Sequence, residues 1–351
     1  MNLVSLLNFN KLKPILNFLI FLVFVGKFPA QLNRQINSLL SDKKFRFNGV
    51  VLISRDGKQI YCKVKGYSHF TDKTPLKKDQ QFVIGSLSKQ FTAVMILQEY
   101  EKGHIDLFAP ISLYLPELKP SWADTVTVHQ LLTHTHGIVD LTNSTEFKPG
   151  TKFSYSQLGY ELLSQIIERI SGKSFAAYSS ELFKSCGMGK TLHPEFLSYP
   201  GFTKGYTLDS NSVLQVEYNS FRNYAAAGTF ISTAEDLLIW NNALFANKLL
   251  KPATLELMVT QKKMAIRNHP LFGTTYYGYG ITREEKGDIT SFGLTGFTPG
   301  FVSLNFFFPE SKTSVIILQN IVYSDYMALN FFYHLNILML VEEDLKKQTK
   351  N

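Results

Sequence analysis

Strand-forming sequence lies near the two ends of this chain and scarcely between them. "NGVVLISRDGKQIYCKVKG", residues 48–66, reads as two β-rich runs around Arg55, Asp56 and Gly57, the chemistry of a tight hairpin turn. Strand signals return only late, in "YYGYGITRE", "FVSLNFFFP" and "TSVIILQN". A lone hairpin cannot bury a face by itself. The early strands are therefore expected to join the late ones in one antiparallel sheet. "QLNRQINSLL" places Leu32, Ile36, Leu39 and Leu40 on one side of a short helix, and a final helix is expected over about 325–345. The expected fold class is α+β: an antiparallel sheet flanked by terminal helices, with a mainly helical lobe inserted. The sheet lobe takes about 31–84 and 271–351, and the helical lobe about 85–270.

Within the insert, Ser86 to Glu101 contains no proline or glycine. Leu87, Phe91, Val94, Ile96 and Leu97 give it a helix buried on much of its surface and closed by Gly103. A short helix is expected around 127–134, and a longer one through "LGYELLSQIIERISG" ending at Gly172. "STAEDLLIW" opens with a capping-box spacing, Ser232 to Glu235. In "NFFFP", 305–309, burial is expected to alternate along a strand.

Residues 1–30 differ from the rest. Lys11 and Lys13 precede the apolar run "ILNFLIFLVFVG", broken only by Asn17, and "KFPAQ" follows. This is the layout of a secretory signal, and the run is shorter than the roughly 18 residues of a membrane span. The expected localisation is export, periplasmic or secreted, with a cut after Ala30. The bulky Phe28 keeps a permanent anchor, and with it membrane association, as the alternative. Loss of this segment removes three lysines, so the formal charge of +8 becomes +5. The remaining positive residues are dispersed, which fits a solvated surface and excludes the dense stripe of a nucleic-acid binder. Cys62 and Cys186 form no metal-binding pattern and declare no disulfide. His134 and His136 in "HTH" do not share a helical face, and loop or capping roles are expected for them.

The chemistry centres on "GSLSKQFTAV", 85–94. Positions i and i+3 share a helical face, so Lys89 can lie beside the Ser86 hydroxyl. A serine needs an adjacent base, and a lysine serves as one only where burial or a nearby positive charge keeps its amine partly neutral. Backbone N–H groups at a helix start also favour the oxyanion formed in acyl transfer. The spacing alone is weak, because "SDKK", Ser41 to Lys44, matches it too. Context separates them: Ser86 opens a buried helix, whereas Ser41 closes an exposed one.

"FVIGSLSKQFTAVMILQEYEKGHIDLFAPISLYLPEL" resembles the active-serine region of the β-lactamase-related serine hydrolases, a group that includes class C β-lactamases, D-alanyl-D-alanine carboxypeptidases and similar esterases. The similarity continues in order through "VTVHQLLTHTHGI", "PGTKFSYSQLGYELLSQIIERISGKSF", "AAAGTFISTAEDLLIW", "YGYGI" and "GLTGFTPGF", spanning roughly 45–320. The resemblance implies that Ser86 is the acylated nucleophile and Lys89 its proton acceptor. It makes Tyr155 the proton shuttle, expected to titrate as a pair with Lys89. It places the oxyanion between the backbone N–H groups of Ser86 and Phe297. Substrate contacts are implied for Gln157, Leu294, Thr295 and Gly296. No metal or organic cofactor is implied, and the partner is a small-molecule or peptide acyl substrate.

Two positions depart from the family. Gln157 stands where asparagine is usual, offering the same amide one methylene farther out. Leu294 stands where the late-strand motif has lysine or histidine and can neither donate a hydrogen bond nor carry charge. Losing such a charged contact costs about 1.5–3 kcal/mol. The expected function is thus an esterase-like or amidase-like hydrolase that does not rely on a cation at this position, and Arg222 in "FRNY" is nominated to replace it. The rival is a non-catalytic or slowly deacylating binder of peptidoglycan peptides or penicillins, motivated by Gln157 and Leu294.

Overall fold

The structure is a computed structural model and describes residues 27–42, 45–195, 201–211, 213–218, 224–269, 271–324 and 327–349. Its main sheet joins both ends of the chain. Strands β1 (Gly49–Arg55) and β2 (Lys58–Lys65) come from the N-terminal part. The C-terminal part supplies β3 (Ile266–His269), β4 (Gly273–Tyr277), β5 (Thr282–Lys286), β6 (Ile289–Thr298), β7 (Phe301–Phe308) and β8 (Thr313–Gln319). Their order is β2-β1-β8-β7-β6-β5-β4-β3, and each neighbouring pair is antiparallel. The closure pairs Val51 with Ile317 and Ile53 with Val315. At the β1–β2 turn Asp56 and Gly57 both have positive φ, +50° and +72°, the twist that a two-residue hairpin loop requires.

The sheet is covered on both faces, and this explains the near-continuous apolar runs in β1, β7 and β8. Val51, Ile53, Leu304, Phe306, Val315 and Ile317 pack under two terminal helices, α1 (Lys27–Ser41) and α4 (Phe332–Thr349). Their neighbours in sequence, Val50, Leu52, Ile316 and Leu318, face the helical part of the chain. Alternation thus selects the face while both faces are buried. The aromatic run corrects the expectation made for it: all of β7 is buried, with Phe306 and Phe308 under the terminal helices and Phe307 stacked 4.0 Å from Phe245 on the other side.

The segment opened by Ser86 is a tight 3₁₀ turn, Gly85–Leu87, that leads into helix α2 (Ser88–Glu101). Nearly every side chain of α2 is buried, including polar ones, so each polar group needs a partner. Ser88 donates to Gly85 O, Thr92 donates to Ala226 O, and Gln90 accepts from the Trp240 indole. Helix α3 (Leu158–Ser171) ends at Gly172 in the left-handed conformation, as its sequence predicts. The short helix Val128–Leu132 carries a capping box between Thr127 and Gln130. The helix Ala234–Phe245 is capped by Thr233, one residue after the expected Ser232; the Thr233 hydroxyl accepts from Asp236 N–H.

α1 runs through Ala30, while the apolar segment at 15–26 lies outside the described residues. Among the described residues no helix is long and apolar enough to cross a membrane. Cys62 and Cys186 are free thiols.

Candidate active site

The Gly85–Leu87 turn is pressed against β6. A Cβ on Gly85, which has φ +56°, would lie 2.6 Å from Phe297 N and 2.8 Å from Gly296 Cα. No side chain fits there, so two glycines bring the turn and the strand into backbone contact. Ser303 on β7 donates to Ile84 O at 2.7 Å, and Ile84 N–H donates to Phe230 O at 3.0 Å. These ties leave the partly exposed Ser86 beside the Phe297 backbone nitrogen, at the mouth of a cavity of about 260 Å³. Tyr155, Gln157, Arg267, Thr295 and Phe297 also line it.

Lys89 follows Ser86 by almost one helical turn and is fully buried. Its ammonium donates to Gln157 Oε1 at 2.6 Å and to the Ala227 carbonyl. The second acceptor is presented by a π-helical turn, Ala225–Thr229, a wider winding that recurs at functional sites. Burial lowers the Lys89 pKa, while Tyr155 and then Glu161 oppose the shift. This is the setting in which a lysine amine can take up a proton. Gln157 thus reaches the lysine despite its extra methylene. Its place at the start of α3 provides that reach.

Tyr155 is half-buried, with the Lys89 ammonium 4.7 Å from its ring centre. His134 packs against it at 4.3 Å between centroids, and His134 Nδ1 accepts from Ser156 N–H at 3.2 Å. Burial keeps His134 neutral, so it backs the tyrosine without adding charge. His136 Nδ1 accepts from Ile138 N–H at 2.9 Å, a local cap. The "HTH" pair therefore serves loop geometry and, through His134, the placement of Tyr155.

Ser86, Tyr155, Gln157, Thr295 and Phe297 meet at the cavity, with Lys89 beneath them. Gly296 lends its missing side chain, since a Cβ there would sit 2.3 Å from Ile84 O. Leu294 does not line the cavity. It is 2% exposed and joins the core shared with Ile84 and Leu87. The cation at the cavity is Arg267, from β3, whose guanidinium carbon lies 4.5 Å from the Tyr155 ring centre. No motif singles out Arg267, which lies on an edge strand far in sequence from the serine and tyrosine motifs. Arg222, nominated instead, lies outside the described residues.

A larger cleft of about 700 Å³ is floored by Phe245 and Phe307, and no serine, cysteine or histidine lines it. Chemistry of the acyl-transfer kind therefore points to the smaller cavity. There a hydroxyl, a buried amine, a phenol and a backbone nitrogen on a constrained strand converge, the parts from which serine acyl transfer is built.

An α+β fold with this arrangement defines a serine hydrolase of the β-lactamase-related type. Residues 36–338 match the Beta-lactamase family, and the chain belongs to it. It is 28% identical to penicillin-binding protein 4* of Bacillus subtilis (strain 168), over 79% of this chain and 69% of that protein. It is 25% identical to the teichoic acid D-alanine hydrolase of Staphylococcus aureus (strain MRSA252), over 64% of each chain. The D-amino acid amidase of Ochrobactrum anthropi SV3, solved with L-phenylalanine amide, shares the fold at a TM-score of 0.80, with 23% identity over 91% of this chain and 99% of that one.

Proposed function

We propose that the protein is an exported hydrolase that opens an ester or amide through an acyl-enzyme on Ser86. One observation carries the reading: Lys89 is fully buried within a turn of Ser86, its ammonium held by Gln157 and the Ala227 carbonyl beside Tyr155. In the neutral form Lys89 accepts the Ser86 proton as Oγ attacks the substrate carbonyl. The carbonyl oxygen, now negative, is received by the backbone N–H groups of Ser86 and Phe297. Tyr155 passes a proton to the leaving amine or alcohol, and the C–N or C–O bond breaks. Tyr155 then takes a proton from water as that water attacks the ester on Ser86; Lys89 returns its proton to Ser86 Oγ as the acyl C–O bond breaks, and acid is released with the serine restored.

The test is an intact-mass time course of the protein and its Ser86→Ala variant with benzylpenicillin or a nitrophenyl ester. An ester adduct that forms and decays only when Ser86 is present supports the reading. A lasting penicillin adduct supports slow deacylation, and no adduct or consumption with either compound supports a non-catalytic binder. Export rests on the three-part layout of residues 1–30. A chain beginning at Gln31 outside the cytoplasm would support cleavage, and a full-length membrane-bound chain would support an anchor.

A further inference from the structure

We propose that Leu271, Phe297 and Phe331 form the leaving-group subsite of this cavity, and that the ester or amide opened here carries an apolar ring or branched alkyl group on the side of the bond that departs. The inference rests on the Ser86 acyl-enzyme reading and adds a substrate class to it.

The cavity has two unlike linings. Ser86, Tyr155 and Gln157 supply polar groups, whereas Leu271, Phe297 and Phe331 supply apolar ones. These three pack into one cluster with Val302 and Val322, so they make a continuous wall. Leu271 and Phe297 are half-buried, which leaves apolar surface open to a ligand; Phe331 is 5% exposed. Phe331 comes from the C-terminal part of the chain, which carries none of the reacting groups, and its neighbours fix it there. Asn330 Oδ1 accepts from Tyr323 N–H at 2.6 Å and Asn330 Nδ2 donates to Tyr323 O at 3.1 Å. The His334 ring packs 5.7 Å from the Phe331 ring, and Leu335 N–H donates to Phe331 O at 2.9 Å. A wall held in this way is preorganised, so a ligand group meets it at little ordering cost.

The polar neighbours of the wall do not oppose an apolar group. His269 Nδ1 accepts from Leu271 N–H at 3.1 Å, and burial lowers the ring's pKa to about 4, so it is neutral beside the wall. Arg267 lies against the Tyr155 ring, 4.5 Å from its centre. Tyr155 decides which part of the substrate meets the wall. It hands the leaving atom its proton, so that atom lies beside the phenol hydroxyl, and what the atom bears enters the cavity that Tyr155 shares with the wall. Phe297 joins the two functions, with its backbone nitrogen against the Gly85 turn and its side chain in the wall. At about 260 Å³ the cavity has room for one ring, since about 150 Å³ of apolar space holds benzene.

The experiment compares benzyl acetate with methyl phenylacetate, isomers that place the same ring on the leaving side and on the acyl side of the bond. Acid release gives kcat/KM for each, divided by its rate of hydrolysis by hydroxide to remove intrinsic reactivity. The unaltered protein is expected to prefer benzyl acetate by about tenfold or more. In Phe331→Ala the ratio falls to about one, while Phe331→Leu, which keeps an apolar group of smaller size, retains part of it. Leu271→Asn changes a half-buried side chain to a polar one of similar size and lowers the ratio without deleting a buried ring; melting curves establish that each variant folds. Equal rates on the two isomers, a preference for the phenylacetate, or no turnover of benzyl acetate by the unaltered protein would overturn the proposal. Equal losses on both isomers in Phe331→Ala and Leu271→Asn would overturn it too and leave the wall a packing feature. Ser86→Ala tests the other reading separately: persistent turnover there would remove the acyl-enzyme, whatever the ratio.

Discussion

Glu161, in the first turn of α3, lies four residues beyond the N-cap Gln157, and both act on the Lys89 ammonium: Gln157 accepts a hydrogen bond from it, and Glu161 acts on it through charge, with no protein partner for its own Oε1. Burial pushes the Glu161 carboxyl up to about 7, while the Lys89 charge and the Ala227 backbone restrain the rise. A carboxyl in this position changes charge near neutral pH beside the proposed base.

An ionised Glu161 raises the Lys89 pKa, so its removal frees the neutral amine at lower pH. In Glu161→Gln the ascending limb of the kcat/KM profile for an ester is expected to move down by roughly half to one pH unit. Arg267, Tyr155 and the Ala227 backbone remain in place in this variant and hold the other influences constant. A limb that stays where it was would show that Glu161 does not set the base.

Gly85→Ala adds a methyl 2.6 Å from Phe297 N at a φ of +56°. The strand and turn must separate, and the proposed oxyanion site separates with them. Acylation is expected to fall by about 10²-fold or more, with about 1–3 kcal/mol lost in stability. Gly103→Ala is the control, because its φ is +79° but nothing lies within 4 Å of the added Cβ. It should lose about 1 kcal/mol or less and keep its acylation rate, read by burst kinetics beside a melting curve.

Five buried histidines and the half-buried His129 should make the fold sensitive to acid. Burial lowers His129, His136, His193 and His269 to about 4 and His334 to about 3, and it lowers His134 as well. Each is depressed in the folded state, so between the unfolded value near 6.5 and the folded one the unfolded chain binds more protons. Stability is then complete above about 6.5 and falls as pH drops, by up to about 1.4 kcal/mol per pH unit for each histidine. Urea midpoints from pH 7 to pH 5 measure it. His334→Leu removes a ring whose two nitrogens lack side-chain partners and should make the slope shallower; an unchanged slope would exclude its share.

Asn241 and Asn305 exchange hydrogen bonds at 2.7 and 2.9 Å, joining the helix Ala234–Phe245 to β7 in a buried setting. Asn305→Leu leaves the Asn241 amide with Ser314 as its remaining partner. A loss of about 1–3 kcal/mol is expected in denaturant melts, and Asn241→Leu added to it should recover part of that. Equal, additive losses would mean that the pair is not coupled.

The fold was legible because strand signals at both ends can satisfy their hydrogen bonds and bury their faces only by meeting. The run "SVIIL" and the run "VVLIS" are apolar at every step except serine, and the structure gives each a face under the terminal helices and a face under the helical lobe. The Ser232 cap was displaced by one residue, to Thr233, because both residues carry a hydroxyl at a helix start and local sequence does not choose between them.

Sequence alone therefore determined what local patterns encode: a buried helix carrying Lys89 that begins just after Ser86, a tyrosine ahead of a long amphipathic helix, and a sheet built from both ends. Tertiary structure decided which way side chains turn and what long arms reach. Leu294, for which the resemblance implies a substrate contact, lies in the core. Arg267, on a strand at the far edge of the sheet, reaches the cavity instead. The physical reason is that a charge acts over distances set by the packed sheet and the length of its side chain, and neither is written in the spacing of residues along the chain.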